Sequence, residues 1–156
     1  MNNELKMYAA QLDESFSGEP WFGRNIRVIL AEINENIAFQ KPNGQHSILE
    51  LLYHMINWRQ FTINRLQKIS STASNFFEQN DWQAMDHNDK SLWQKGIEEL
   101  NTTQHTLLNL LNVMKDEELQ TPVYERDYEY RTLINGIIQH DIYHLGQIAY
   151  IRKMLS

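Results

Sequence analysis

Residues 133–155 read LINGIIQHDIYHLGQIAYIRKML, and the fold class follows from how the apolar positions of this stretch repeat. A helix turns about 100° per residue. On that wheel Leu133, Ile137, Ile148, Ile151 and Leu155 point the same way and define a face that must meet a core. His140 and His144 fall in the middle of this face. Ile138, Ile142, Leu145 and Ala149 form a second apolar strip away from the histidines, and a helix apolar on most sides is expected to be buried on most sides. Dimerisation through this second strip is one expectation, with Gly146 permitting close approach of another copy.

Outward from this segment, the same period recurs. With three prolines and six glycines in 156 residues, long helices can run uninterrupted. Residues 3–16 read as a first helix through Leu5, Tyr8, Ala9, Leu12 and Phe16. SGEPWFG (17–23) breaks it, NIRVILAEINENIAF (25–39) supports one or two short helical pieces, and KPNG (41–44) is a turn. Ser47 and Glu50 then form a capping-box pattern. The helix they open runs to about Ser70 through Ile48, Leu51, Leu52, Met55, Thr62 and Leu66. Residues 71–88 show no period and are expected to form a long loop, although Phe76, Phe77, Trp82 and Met85 are unusually apolar for one. A third helix covers roughly 89–117, with Trp93, Ile97, Leu100, Leu107, Leu111 and Met114 on one side. QTPVYERDYEYR (120–131) is a partly extended connection, and Thr132 caps the fourth helix. Four long amphipathic helices imply an all-α four-helix bundle, taken as one domain over 1–156.

Composition narrows the function classes. Hydrophobic residues make up 42% and charged ones 22%, the profile of a globular chain. The formal charge of −6, without a cluster of Lys or Arg, argues against a nucleic-acid surface. The chain has no cysteine. That excludes disulfides, zinc-thiolate sites and a cysteine nucleophile, and fits a cytoplasmic protein. MNNELKMYAAQLDESFSG (1–18) lacks the basic-then-apolar order of a signal peptide, and no apolar run is long enough to cross a bilayer, so no membrane partner is expected.

An imidazole buried without partners costs on the order of 1–3 kcal/mol for each unsatisfied polar group. Two imidazoles one helical turn apart can instead face the same ion, the arrangement that zinc-binding helices use. A third ligand is needed, and periodicity sorts the remaining histidines. His105 projects opposite the Leu100–Leu107–Leu111 stripe, His87 lies in the polar end of a loop, and His46 precedes the Ser47 cap. His54 sits mid-helix at the edge of the core stripe, flanked by Leu51, Trp58 and Phe61. His46 and His54 are about 12 Å apart along a helix axis, too far to share an ion. The set is therefore His54, His140 and His144. Three neutral imidazoles suit Zn, Ni, Fe or Co and leave coordination positions open for water or substrate. The alternative is that these are core histidines satisfied by hydrogen bonds.

HSILELLYHMINWR (46–59) followed by LINGIIQHDIYHLGQIAYIRKML (133–155) resembles the DinB-like, or DinB/YfiT-like, family. The resemblance spans most of the chain. It implies a bundle in up-down-down-up order, often dimeric, with a divalent metal held by one histidine of the second helix and a His-x-x-x-His pair of the last. Those motif positions fall on His54, His140 and His144. Relatives of this family include thiol-dependent transferases and isomerases that use bacillithiol, mycothiol or glutathione. The resemblance thus implies a small-molecule substrate, including a low-molecular-weight thiol, and a thiol S-transferase or hydrolase reaction at the metal. The rival expectation is a non-catalytic bundle, with a structural metal or none, acting as an interaction module.

Other residues carry weaker expectations. Trp58 and Phe61 lie on the His54 side of their helix and either line a substrate pocket above the metal or belong to the core. Asp141 and Gln147 neighbour the histidine face and either orient an imidazole or serve helix packing. Arg65 points the same way as His54 and either receives an anionic substrate group or makes a surface ion pair.

Overall fold

A computed structural model describes residues 3–156, and these form an all-helical bundle. Its helices are α1 (Asn3–Ser17), α2 (Ile26–Ala31), α3 (Glu35–Ala38), α4 (Ile48–Leu66), α5 (Ser74–Gln79), α6 (Ser91–Val113) and α7 (Tyr130–Leu155). No helix among the described residues is long and apolar enough to cross a membrane.

Side-chain pairings set the helix directions. Leu5 N–H donates to Asp116, just beyond α6, and Gln104 Nε2 donates to the Leu12 carbonyl, so α1 and α6 are antiparallel. Tyr53 reaches the Leu92 carbonyl and Arg59 reaches Thr103, so α4 and α6 are parallel. Arg59 meets Asp141, and the Tyr130 hydroxyl donates to the Arg65 carbonyl, so α7 runs against α4. The order is up-down-down-up. Parallel neighbours approach closely at Gly96, where a Cβ would lie 2.8 Å from Leu52 Cδ2.

Parallel α4 and α6 have a topological consequence. The connection 67–90 must travel back along α4, whose 19 residues span roughly 28 Å at 1.5 Å per residue. It is not the structureless loop expected from sequence. α5 forms within it because Phe77 packs into the core against Phe61, with ring centroids 5.4 Å apart. Arg65 pins its start, donating to the carbonyls of Ile69 and Thr72 and to the Ser74 hydroxyl. Of the two roles expected for Arg65, the ion pair is present, to the exposed Glu125 at 3.6 Å, but the guanidinium itself is buried and closes this connection, so it is not placed at a surface or offered to a substrate.

Helix ends follow local chemistry in part. The Ser47–Glu50 capping box is present, with Ser47 fully buried. α4 stops at Leu66 rather than Ser70, where Lys68 takes a left-handed backbone conformation (φ 58°) that ends the helix. The third helix ends at Val113 rather than 117, and a short 3-10 turn follows over Asp116–Gln120. Thr132 does not cap the last helix. Glu129 occupies that place without a side-chain cap, because the antiparallel bridge Pro122–Glu129 and the Tyr130 N–H to Thr121 carbonyl bond start the helix three residues earlier. The partly extended reading of 120–131 thus holds at that bridge.

The core has two apolar halves. One gathers Phe16, Ile48, Leu52, Met55, Leu100 and Ile148; the other gathers Leu5, Leu12, Phe61, Leu107, Leu111 and Leu133. On α4, α6 and α7 the residues between these halves are polar and buried: Arg59, Thr103, Gln104 and Asp141. The second apolar strip of the last helix is covered by the chain itself. Ile138 and Leu145 are buried, and Ile142 and Ala149 are half-buried against the core, with α1 and α2 packed on α7. Gly146 has open space around it.

Candidate metal centre

His54 on α4 and His140 and His144 on α7 converge in the polar layer. Their ligand-competent nitrogens all lie within 4.8 Å of one another. The antiparallel crossing of α4 and α7 brings residues 86 and 90 positions apart in sequence together. His54 Nε2 lies 3.0 Å from His144 Nε2 and 3.0 Å from His140 Nε2. A metal–nitrogen bond of 2.0–2.1 Å implies neighbouring nitrogens about 2.9 Å apart at right angles and about 3.4 Å apart at the tetrahedral angle. The observed spacing falls within that range.

The outer nitrogens decide which lone pairs face inward. His54 Nδ1–H donates to the Asp81 carbonyl at 3.0 Å, with the Asp81 carboxylate also 3.0 Å away. His144 Nδ1–H donates to Gln147 Oε1 at 2.6 Å. A neutral imidazole carries one N–H, so both rings turn bare Nε2 lone pairs toward each other with no proton to share. His140 Nδ1 is buried and has no hydrogen-bond partner. Such a set is electrostatically unfavourable alone and is matched to a cation at its centre. Neutrality of the rings agrees with their surroundings. Burial, then the neighbouring His144, His54 and Arg59, pushes His140 down to about 3. Burial also lowers His144, against the opposing bond to Gln147.

The structure sorts the other candidates. His105 is exposed on α6 and His87 sits edge-on to Phe39, both apart from the cluster. Gln147 orients an imidazole, one of the two roles expected for it. Asp141 does not. Burial pushes its carboxyl up, and the fully buried Arg59 guanidinium at 2.8–2.9 Å opposes that shift. Arg59 also reaches Thr103 and Gln104, tying α4 to α6 and α7 beside the histidines. Phe61 is buried and Trp58 half-buried, and with His140 they line a cavity of about 270 Å³.

Three participants were missed from sequence. Asp81 and Trp82 come from the returning connection: Trp82 stacks on His54 at 4.0 Å and 8°, and Trp58 Nε1 donates to Asp81 Oδ1 at 2.6 Å. The unusual apolarity of residues 71–88 was the available signal. Arg59 was legible too, since it lies four residues after Met55 and three before Thr62 on the core stripe.

A family model described as the DinB superfamily matches residues 22–148. The chain belongs to the DinB superfamily. The matched span of this DinB-superfamily chain contains all three converging histidines. No curated protein and no solved structure matches it. Within the DinB-superfamily site, Gln147 gives a direct check on the tautomer argument. Gln147→Leu is expected to weaken Zn or Ni binding about 10–100-fold while leaving one site per chain, as measured by competition with a chromophoric chelator.

Proposed function

We propose that this DinB-superfamily protein is a divalent-metal-dependent enzyme of the thiol S-transferase or hydrolase type. His54, His140 and His144 are its metal ligands, for Zn, Ni, Fe or Co. The carrying observation is the inward-facing Nε2 set whose outer nitrogens, on His54 and His144, are already committed to Asp81 and Gln147. Three imidazoles leave coordination positions free, and an ion so held supplies Lewis acidity that lowers the pKa of a thiol or water brought to it.

The chain's own residues supply the rest. Asp81 holds the His54 ring through its main-chain carbonyl and the Trp58 indole through its carboxylate, fixing the wall of the Trp58–Phe61 cavity relative to the metal. Its apolar surface suits part of a small-molecule substrate and keeps water from His140. Purely structural metal binding is less well supported, because cavities open on both sides of the cluster, one lined by His140 and another by His144.

The test is a turnover screen of metal-loaded protein, pairing low-molecular-weight thiols with electrophilic acceptors and, separately, offering esters and amides. Turnover is expected in one arm and is expected to fall at least about 100-fold in His54→Ala, the loss typical of removing a metal ligand. Turnover that survives the loss of His54 overturns the reading.

A further inference from the structure

The larger of the two cavities at the cluster is a groove of about 520 Å³ that runs from His144 out along α7. On one side stand Tyr143, Tyr150 and Met154, and opposite are His46 and Trp82. Residues 143, 147, 150 and 154 follow helical spacing, so α7 turns one continuous stripe toward this groove, beginning beside a proposed metal ligand. Tyr143 and Tyr150 are 65% and 68% exposed, an unusual amount of aromatic surface left open.

The opposite wall is built rather than incidental. His46, Trp82 and His54 form one column of parallel rings, 3.7 Å apart at 6° and 4.0 Å apart at 8°. This column is anchored at its inner end by Asp81 and at its outer end by a contact of His46 with Glu50 at 3.5 Å.

Charge decides what fits. No Asp, Glu, Lys or Arg lines the groove. Of the cations that flank it in sequence, Lys41 is engaged with Glu50 at 2.6 Å and Arg152 with Glu32 at 3.2 Å, while Lys153 is exposed on α7 and does not line the groove. Along the groove, away from the ion proposed at His144, a carboxylate would lose its hydration without gaining a charged partner, whereas a flat neutral ring gains stacking and apolar burial.

We propose that this groove is a subsite for an uncharged, planar aromatic group of the substrate, stacked against Tyr143 and Tyr150, with the reacting end of that substrate toward His144. The inference rests on the metal reading only for that last direction. It narrows the reaction to neutral aromatic substrates on this side of the cluster.

The titrations use the full chain freed of ion with a chelator, and metal uptake is measured on a second portion of the same preparation. Calorimetric titrations compare 2-naphthylmethanol with its saturated decahydro analogue and with 2-naphthoate. The naphthyl alcohol is expected to bind at least about tenfold tighter than either, by the stacking and desolvation differences above. Tyr150→Ala, at an exposed position that should not disturb folding, is expected to weaken it at least about fivefold. Phe22→Ala, exposed elsewhere, is expected to leave it unchanged. Equal or tighter binding of 2-naphthoate or of the saturated alcohol overturns the proposal, as does a Tyr150→Ala titration identical to wild type. Selective naphthyl binding by protein that takes up no metal upholds the subsite and removes the metal reading. A stoichiometric metal without discrimination among the probes does the reverse.

Discussion

His144→Ala is expected to abolish stoichiometric binding of Zn or Ni that the unaltered chain shows at one ion per molecule. The residue supplies one of three nitrogens and holds its tautomer through Gln147, so removing it leaves two ligands and an ill-fitting gap. Ion present at about 100 times its dissociation constant stabilises the folded state by about 2.7 kcal/mol. For a chain of this length that corresponds to a rise in Tm of roughly 5–10 °C. The rise should be present in the unaltered chain and in His105→Ala, whose side chain is exposed away from the cluster. It should be absent in His144→Ala. Elemental analysis after purification without chelators, together with thermal melts with and without added ion, checks both halves. A chain that holds no ion and melts at the same temperature whether or not Zn or Ni is added would remove the metal centre from the account.

The second large effect lies in the same polar layer, beside the histidines. Asp141→Ala leaves the Arg59 guanidinium buried with no counter-charge, and breaking a buried pair in this way costs about 3–5 kcal/mol. Arg59 is fully buried, so water cannot compensate without opening the core. Arg59→Met combined with Asp141→Leu should recover most of the loss, since apolar groups of similar volume remove both desolvation penalties together. Urea unfolding of the unaltered chain and the two variants reads the difference as shifts in midpoint at constant slope. A single Asp141→Ala that loses less than about 1 kcal/mol would show that the pair is not a fastening between α4 and α7.

What could be read locally was read well where it depended on helical period. The stripe through Leu133, Ile137 and Ile148 is buried, and the capping box at Ser47 and Glu50 is present with both of its hydrogen bonds. His54 could be picked out because its place on the wheel and its apolar neighbours lie within two turns of one helix. Residues whose roles depend on partners far along the chain were read less well. Asp141 sits beside His140 in sequence but turns to Arg59, 82 residues away, whose fully buried guanidinium lies 2.9 Å from it. Arg65 was expected to face outward toward a substrate or another surface charge, yet it folds back on carbonyls of the connection that follows it. Thr132 has the chemistry of a cap, but the bridge at Pro122 and Glu129 had already fixed the start of the helix.

The sequence by itself determined the four amphipathic helices and the identity of the three inward histidines, because both are properties of side-chain spacing along one helix axis. Only the tertiary structure decided what surrounds those histidines. Laying α4 and α6 parallel forces residues 67–90 back along the bundle, and that return path delivers Asp81 and Trp82 onto His54 and completes the groove beside His144. No local period encodes such a path. It is fixed by the direction in which two distant helices pack, and those contacts form only when the whole chain has folded.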